Sequence, residues 1–529
     1  MKRPIILTLI ISFITFSCSD FLEPKSKSEF VPKDANSLNE LLLGEAYPRY
    51  DVEKLNLFLY LLDDDVTAAP YQKPIEGCDP NLWLATYTWQ PKMYEQMEKA
   101  GLSNADIYFT HYSLILGANA ILDYIGDVGD DDENAISLVT AQALALRGFF
   151  YFNLVNIFGQ PYNSNPEGLG IPLKLNSGIE ENELKRNTVK EVYEQILKDL
   201  LEAERLYLTL PQDLQWQPKY RTSLPMVQLL LSRAYLYMED WENAATYADK
   251  VIKNNNFQLL NLNSVPTEQE SEYGNIVPMY LNYHSYTNST ETIWVYGNLD
   301  DVTNWVYNPY KGEEDRPFFR ASDELIKSFN ESTGDLRKDR YIVRSKYEMS
   351  IDGEEPNPMP QAFGKISVGE ESYWQPLKGS NIFGRSLRLS EAFLNFCEAK
   401  AMSYKLNGDA EARTEALRVL NELRQNRFAP TDYKTQDISD PDALITFIHD
   451  ERRRELCFED HRWFDLRRWG MKGFTHTWYP DATSKIVYTL QDNDPSFTLP
   501  LPPSALDLNK QLEQNPLAPF PRNGELIKK

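Results

Sequence analysis

Residues 226–254 read MVQLLLSRAYLYMEDWENAATYADKVIKN. Apolar residues recur at helical spacing on both sides of Glu239-Asp240, so the stretch predicts two helices joined by a tight turn. Ser232, Ala244 and Ala248 place small residues on the expected contact face, Tyr235 supplies a large one, and Val251 closes the row. Small side chains let two helix axes approach closely, and the large one fills the groove between them. Trp241 follows the turn directly.

These spacings are those of a tetratricopeptide pair, and the flanking sequence continues in the same style. Within 138–158, Leu138, Ala141, Leu144, Ala145, Phe149, Phe152 and Val155 keep the helical period until Gly159 and Pro161 stop it. Thr188 and Glu191 have capping-box spacing, each able to satisfy the other's free amide. Val192, Ile196, Leu200 and Ala203 form the stripe that follows, and Leu210-Pro211 ends it. Residues 387–406 with 410–427 make a looser pair, and 101–126 with part of 37–62 supply another. The expected fold is mainly α, a scaffold of tetratricopeptide-like helical pairs. Such repeats carry no chemistry of their own.

Residues 256–379 read differently. Helical periodicity fades, and within 273–310 there are nine aromatics in 38 residues, about twice the chain's 12%. They include Tyr283, Tyr286, Trp294, Trp305 and Tyr307, interleaved with asparagines; Trp83, Tyr87 and Trp89 form a smaller cluster. Sugar rings offer flat C–H faces and a rim of hydroxyls, which aromatic planes and Asn or Asp side chains match. The expectation is an irregular ligand-binding lobe in which at least two of these rings are exposed platforms, the others packing its interior.

The amino terminus bears on compartment. Lys2 and Arg3 precede an apolar stretch, Ile5–Phe16, that suits a secretory signal and is too short to span a bilayer. Ser17-Cys18 then offers a thiol for lipidation, with Thr15 standing where an aliphatic residue is usual. No second apolar run is long enough to span a membrane. Cleavage before Cys18 would take the formal charge from −24 to −26 by removing Lys2 and Arg3. Such a polyanion is a poor match for nucleic acid. Cys78, Cys397 and Cys457 are an odd, scattered set rather than a disulfide framework; the last two sit in helical patterns and read as buried apolar residues.

Residues 451–470 read ERRRELCFEDHRWFDLRRWG, after Asp440-Pro441 as N-cap and first helical residue. Arginine against Glu and Asp on an apolar helix predicts buried, bidentate ion pairs, with Trp463 and Phe464 packed between them. Each Arg has a carboxylate within helical reach; an anion-binding cluster is the functional alternative. This segment resembles the hallmark helix of the SusD/RagB family. Arg388-Leu-Ser-Glu391 through Leu394, Glu398-Ala-Lys-Ala401, Asn421-Glu-Leu-Arg424, the tail 499–516 ending Gln514-Asn515-Pro516, and Cys18-Ser-Asp20-Phe-Leu22 are also similar to family segments. Thr15, Cys457 and Asp460 depart from its pattern, glycine being frequent at the last.

The resemblance implies a scaffold of about four tetratricopeptide-like helical pairs carrying an irregular, loop-rich ligand-binding lobe, in a lipoprotein anchored through Cys18 in the outer membrane, facing the exterior. It would bind an oligosaccharide or polysaccharide, peptide in some members, and deliver it to a SusC-like TonB-dependent barrel. Binding residues vary between members, so the candidate site, Trp83, Tyr87, Trp89, Tyr283, Tyr286, Trp294, Trp305 and Tyr307, rests on aromatic clustering and the family's general placement. The expected organisation is a signal peptide (1–17), lipidated tether (18–36), helical scaffold (37–255), ligand lobe (256–379), second helical scaffold (380–470) and extended tail (471–529). No cofactor or metal is expected: there is no CxxC or HExxH, and Asp127–Glu133 lacks EF-hand spacing. Two rivals stand beside this. Asp63-Asp64-Asp65, Asp300-Asp301 or Glu313-Glu314-Asp315 could furnish the carboxylates of a glycoside hydrolase. There is no GxSxG elbow, and His111, His284, His449, His461 and His476 show no triad spacing. The other rival is a scaffold that docks proteins only.

Overall fold

Helices begin where the sequence supplies caps. Asp34 accepts from Ser37 N at 2.8 Å and opens α1, Ala35–Glu45. Asp106 opens α2, Ile107–Tyr124, and Asp132 opens α3, Glu133–Phe158. In the box before α4, Val189–Thr209, Thr188 Oγ1 accepts from Glu191 N at 3.1 Å and Glu191 Oε2 accepts from Thr188 N at 2.8 Å. Then follow α5 (Leu224–Tyr237), α6 (Trp241–Ile252), α7 (Asp323–Asn330), α8 (Leu389–Asn407), α9 (Ala410–Gln425), α10 (Pro441–Leu456) and α11 (Arg462–Arg468). The computed structural model describes residues 32–48, 55–56, 58–69, 80–102, 106–129, 132–179, 183–266, 268–270, 276–278, 289–298, 319–342 and 383–528.

Four helical pairs, α1/α2, α3/α4, α5/α6 and α8/α9, build the scaffold, and α10 packs across α8. In α5/α6 the small-residue logic holds. Ser232, Ala244 and Ala248 are fully buried, and Ser232 Oγ donates to Ala244 O at 2.9 Å. Tyr235 stacks on Tyr247, centroids 5.6 Å apart. Gly117 plays the same part between α1 and α2: a Cβ there would lie 2.1 Å from Glu45 O. Charged struts join the helices. Arg147 on α3 grips Asp199 on α4 at 2.8 and 2.7 Å, and Arg233 on α5 grips Glu391 on α8 at 2.6 Å through both nitrogens.

Three sequence expectations change. Helix α3 is long and apolar enough to cross a bilayer, contrary to the reading that no second such run exists, but most of it is buried inside the fold. Residues 451–470 are two helices rather than one. Phe458 and Asp460 adopt φ of 59° and 62°, a left-handed turn between α10 and α11 with no glycine to announce it. The tail is not simply extended: β7 (Phe474–Asp481) and β8 (Ser484–Leu490) form an antiparallel hairpin to which β9 (Glu525–Lys528) adds.

The remaining strands are short. Val66–Ala68 (β1) pairs with Phe319–Ala321 (β5), Glu268–Glu270 (β2) with Ile276–Pro278 (β3), and Thr292–Asn298 (β4) with Phe383–Arg388 (β6), all antiparallel. The β4–β6 ribbon sits at the start of α8, where the irregular region returns to the scaffold.

Candidate functional site

Four of the rings expected to carry ligand are core residues. Trp294 on β4 has no exposed surface: it stacks on Tyr296 at 4.6 Å and meets the edge of Phe149 from α3 at 5.0 Å. Tyr87 is also fully buried; its hydroxyl accepts from Ala68 N at 2.8 Å and donates to Thr477 O at 3.1 Å. Trp89 donates its indole N–H to Leu62 O at 2.9 Å. His476 of β7 lies between these two rings, 4.2 Å from Tyr87 and 4.3 Å from Trp89. Trp83 is 8% exposed. The platform reading is therefore corrected for Trp83, Tyr87, Trp89 and Trp294: α3 and the carboxyl-terminal hairpin supply the cover that local sequence did not reveal. Tyr283, Tyr286, Trp305, Tyr307 and Cys18 lie outside the described residues.

The acidic triplet is structural. Asp64 receives Arg462 at 2.6 and 2.8 Å, and Asp65 receives Arg453 at 2.7 Å. Burial pushes Asp64 up, but Arg453 and Arg462 outweigh it and hold the carboxyl below the ordinary aspartate range. Asp63 is pushed well up by burial and by its two acidic neighbours, and its Oδ1 accepts from Asp65 N at 2.9 Å. Carboxylates locked against guanidinium groups are poorly placed to act as a hydrolytic pair. Asp300-Asp301 and Glu313–Asp315 lie outside the described residues. No cluster of His, Cys, Asp or Glu among the described residues suits a metal, and Asp132 of the acidic run caps α3. Cys397 and Cys457 are buried, as their helical patterns predict.

The arginine-rich segment forms a buried ionic lattice that seats the β4–β6 ribbon on α10. Arg388, the last residue of β6, donates to Glu459 at 2.7 and 2.8 Å, to Glu455 at 2.7 Å and to Glu291 at 3.1 Å. Arg427 bridges Glu291 at 2.6 Å and Glu455 at 3.0 Å, and Arg337 reaches Glu451 at 2.8 Å and Asp335 at 2.6 Å. Arg424 and Arg454 complete it against Glu451. Five guanidinium groups meet five carboxylates, Glu291, Asp335, Glu451, Glu455 and Glu459. Among the described residues, that balance leaves this lattice no surplus cation to hold an anion. Most partners are distant in sequence; within 451–470 the helical neighbours are Arg454–Glu451 and Arg468–Asp465. Asp460 pairs with Arg385 and accepts from Asn56 at 2.9 Å.

The open surface lies elsewhere. Between α4 and α5 the chain makes a short helical turn, Gln212–Gln215, then Trp216. Trp216 faces Phe257 across 6.1 Å with the ring planes tilted by 50°. Both rings are half-buried at a solvent-open depression of about 690 Å³. Sequence reading passed over them because each is a lone ring outside a cluster. The available signal was an indole set among Gln212, Asp213, Gln215 and Gln217, just past a helix-ending proline.

Comparison with known proteins gives the lineage. Residues 240–517 match the model of the SusD family, and residues 51–236 match one described as starch-binding associating with outer membrane. The chain is 24% identical to SusD-like protein P38 of Formosa agariphila over 388 residues, 68% of this chain and 70% of that one. Its fold superposes on a SusD superfamily protein from Bacteroides thetaiotaomicron with a TM-score of 0.64 at 22% identity, covering 91% of this chain and 98% of the other. A SusD-like carbohydrate binding protein from Bacteroides vulgatus gives 0.63 at 19% identity, covering 92% and 100%. With more than half its length matched by the family model, and the helical pairs and arginine-rich segment in place, the chain belongs to the SusD family.

Proposed function

We propose that this protein is a lipid-anchored, cell-surface glycan-binding protein that captures nutrient oligosaccharide and passes it to a SusC-like TonB-dependent outer-membrane transporter. The observation that carries the reading is the family match running from residue 51 to 517 across two adjoining models, one named for starch binding at the outer membrane. The Lys2-Arg3, Ile5–Phe16 and Ser17-Cys18 pattern supports the anchor. The carbohydrate-binding description of a neighbour of like fold favours glycan over peptide. Asp64 and Asp65, spent on arginines, count against hydrolysis. Capture of this kind needs only modest affinity, micromolar to millimolar, or about −8 to −4 kcal/mol.

The test is extraction of the native protein in gentle detergent. A large TonB-dependent barrel should co-purify in near-equal amounts, and Cys18→Ala should shift the protein to the soluble fraction and abolish fatty-acid labelling. A native protein that emerges alone overturns the delivery reading. A Cys18→Ala variant that partitions like wild type overturns the anchor.

A further inference from the structure

Three segments converge on the Trp216 depression and are fastened to one another. Val295 N of β4 donates to Lys219 O at 2.8 Å, and Gln258 N to Thr290 O at 3.2 Å. Thr290 Oγ1 returns a bond to Gln258 O at 3.0 Å, and Lys219 Nζ donates to Ser289 O at 2.5 Å. Buried Ser223 and Ile293 lie beneath. The depression is therefore braced from three sides rather than hung on one loop.

Its chemistry is specific. Trp216 and Phe257 form an angled two-ring wall, each ring partly exposed. The Trp216 indole N–H has no acceptor among the described residues, unlike that of Trp89. Gln217 Nε2 is spent on Leu214 O at 2.8 Å, which leaves its amide oxygen to accept. Gln212, Asp213 and Asn256 are exposed at the rim. The depression carries one carboxylate, Asp213, and the Lys219 ammonium, one N–H of which goes to Ser289 O, on a chain of net charge −24. Anionic ligands are disfavoured by that field. A neutral, hydroxyl-rich ligand with apolar ring faces matches it.

We propose that this depression is a subsite for a neutral oligosaccharide, Trp216 and Phe257 taking the sugar faces and Gln212, Asp213, Gln217 and Asn256 the hydroxyls. The proposal rests on the glycan-binding reading and puts a contact point on the helical scaffold, where the α4–α5 loop meets β4.

The experiment is calorimetric titration of the full mature chain with maltoheptaose, cellohexaose, xylohexaose, mannohexaose and laminarihexaose. At least one should bind saturably. Trp216→Ala and Phe257→Ala should each weaken it about tenfold or more, with circular dichroism unchanged. Trp216→Phe should keep most of the affinity and lose most of the ligand-induced change in tryptophan emission. If Trp216→Ala does not fold, Gln217→Leu and Phe257→Leu carry the test at a threefold threshold. Binding that survives these substitutions within twofold overturns the subsite and leaves the glycan reading standing. If none of the five oligosaccharides binds wild type, both fall.

Discussion

Replacing Glu455 by glutamine removes one negative charge from the buried lattice and leaves its shape almost unchanged. Glu455 Oε1 receives Arg388 at 2.7 Å, Arg427 at 3.1 Å and the Tyr341 hydroxyl at 3.1 Å; Oε2 receives Arg427 at 3.0 Å and Arg337 at 3.3 Å. Burial works against the ionised carboxyl, but Arg427, Arg388 and Arg337 overcome it and hold it well below the ordinary glutamate range. A folded pKa below the unfolded one means that this contribution is present above about pH 4.3 and is lost as pH falls through the folded value. Glutamine would turn an NH₂ toward a guanidinium and leave five buried cations facing four anions. Breaking a buried pair from one side costs about 3–5 kcal/mol, against under 1 kcal/mol for an exposed pair. Urea titration at pH 7 should therefore show E455Q destabilised by about 3–5 kcal/mol, with Asp507→Asn, whose partner Lys510 is exposed, as a near-silent control. Adding Arg427→Met restores the charge balance, so the double variant should be at least about 1 kcal/mol less destabilised than the sum of the singles. An E455Q loss under 1 kcal/mol, or strict additivity, refutes the view that these groups act as one unit.

Trp294→Ala should cost about 3–5 kcal/mol in the same titration, since the ring is fully buried between Tyr296 and Phe149; wild-type stability would return it to the ranks of the ligand platforms. Gly117→Ala should lower stability by about 1–3 kcal/mol because its Cβ would collide with Glu45 O, and an unchanged urea midpoint would show that α1 and α2 part freely. Burial pushes the His111 imidazole down to about 4, below the unfolded value near 6.5, so the unfolded chain binds the extra proton between those limits. Stability should thus fall as pH drops from 6.5 toward 4, by up to about 3 kcal/mol from this residue; His111→Leu should flatten that slope, and an unchanged slope contradicts the assignment.

Features written in short-range code are legible in the sequence itself. The Thr188–Glu191 box, the Asp440-Pro441 helix start and the small residues Ser232, Ala244 and Ala248 each depend on neighbours a few positions away, and each does what the spacing predicts. What stays hidden depends on remote chain. Trp89 and Tyr87 look available until His476, almost 400 residues later, is placed between them. The break between α10 and α11 is invisible because Phe458 and Asp460 adopt left-handed backbone conformations without a glycine or proline to mark them. The arginines declare that they are paired, but the helical register suggests local partners where Arg453 and Arg462 reach back to Asp65 and Asp64. Trp216 and Phe257 escape notice because a count of rings per window rewards crowding, whereas exposure is decided by which segments happen not to cover a ring.

The long reach of those contacts bears on the order in which the molecule comes into being. Asn56 waits for Asp460, Asp64 for Arg462, Asp65 for Arg453 and Tyr87 for His476, separations of 388 to 404 positions. At synthesis rates of roughly 5–20 residues per second, the amino-terminal wall stands unfinished for about 20–80 s. Throughout that interval its acidic triplet has no counter-charge and its aromatic cluster no lid. Native pairing across such spans is also intrinsically slow, because the chain must close a very large loop before any contact rewards it. The nascent protein is thus kept open by its own wiring until about the last seventh of the chain arrives. A version truncated before residue 451 is accordingly not a smaller binder but an unclosed one, with charged side chains that have no place to go.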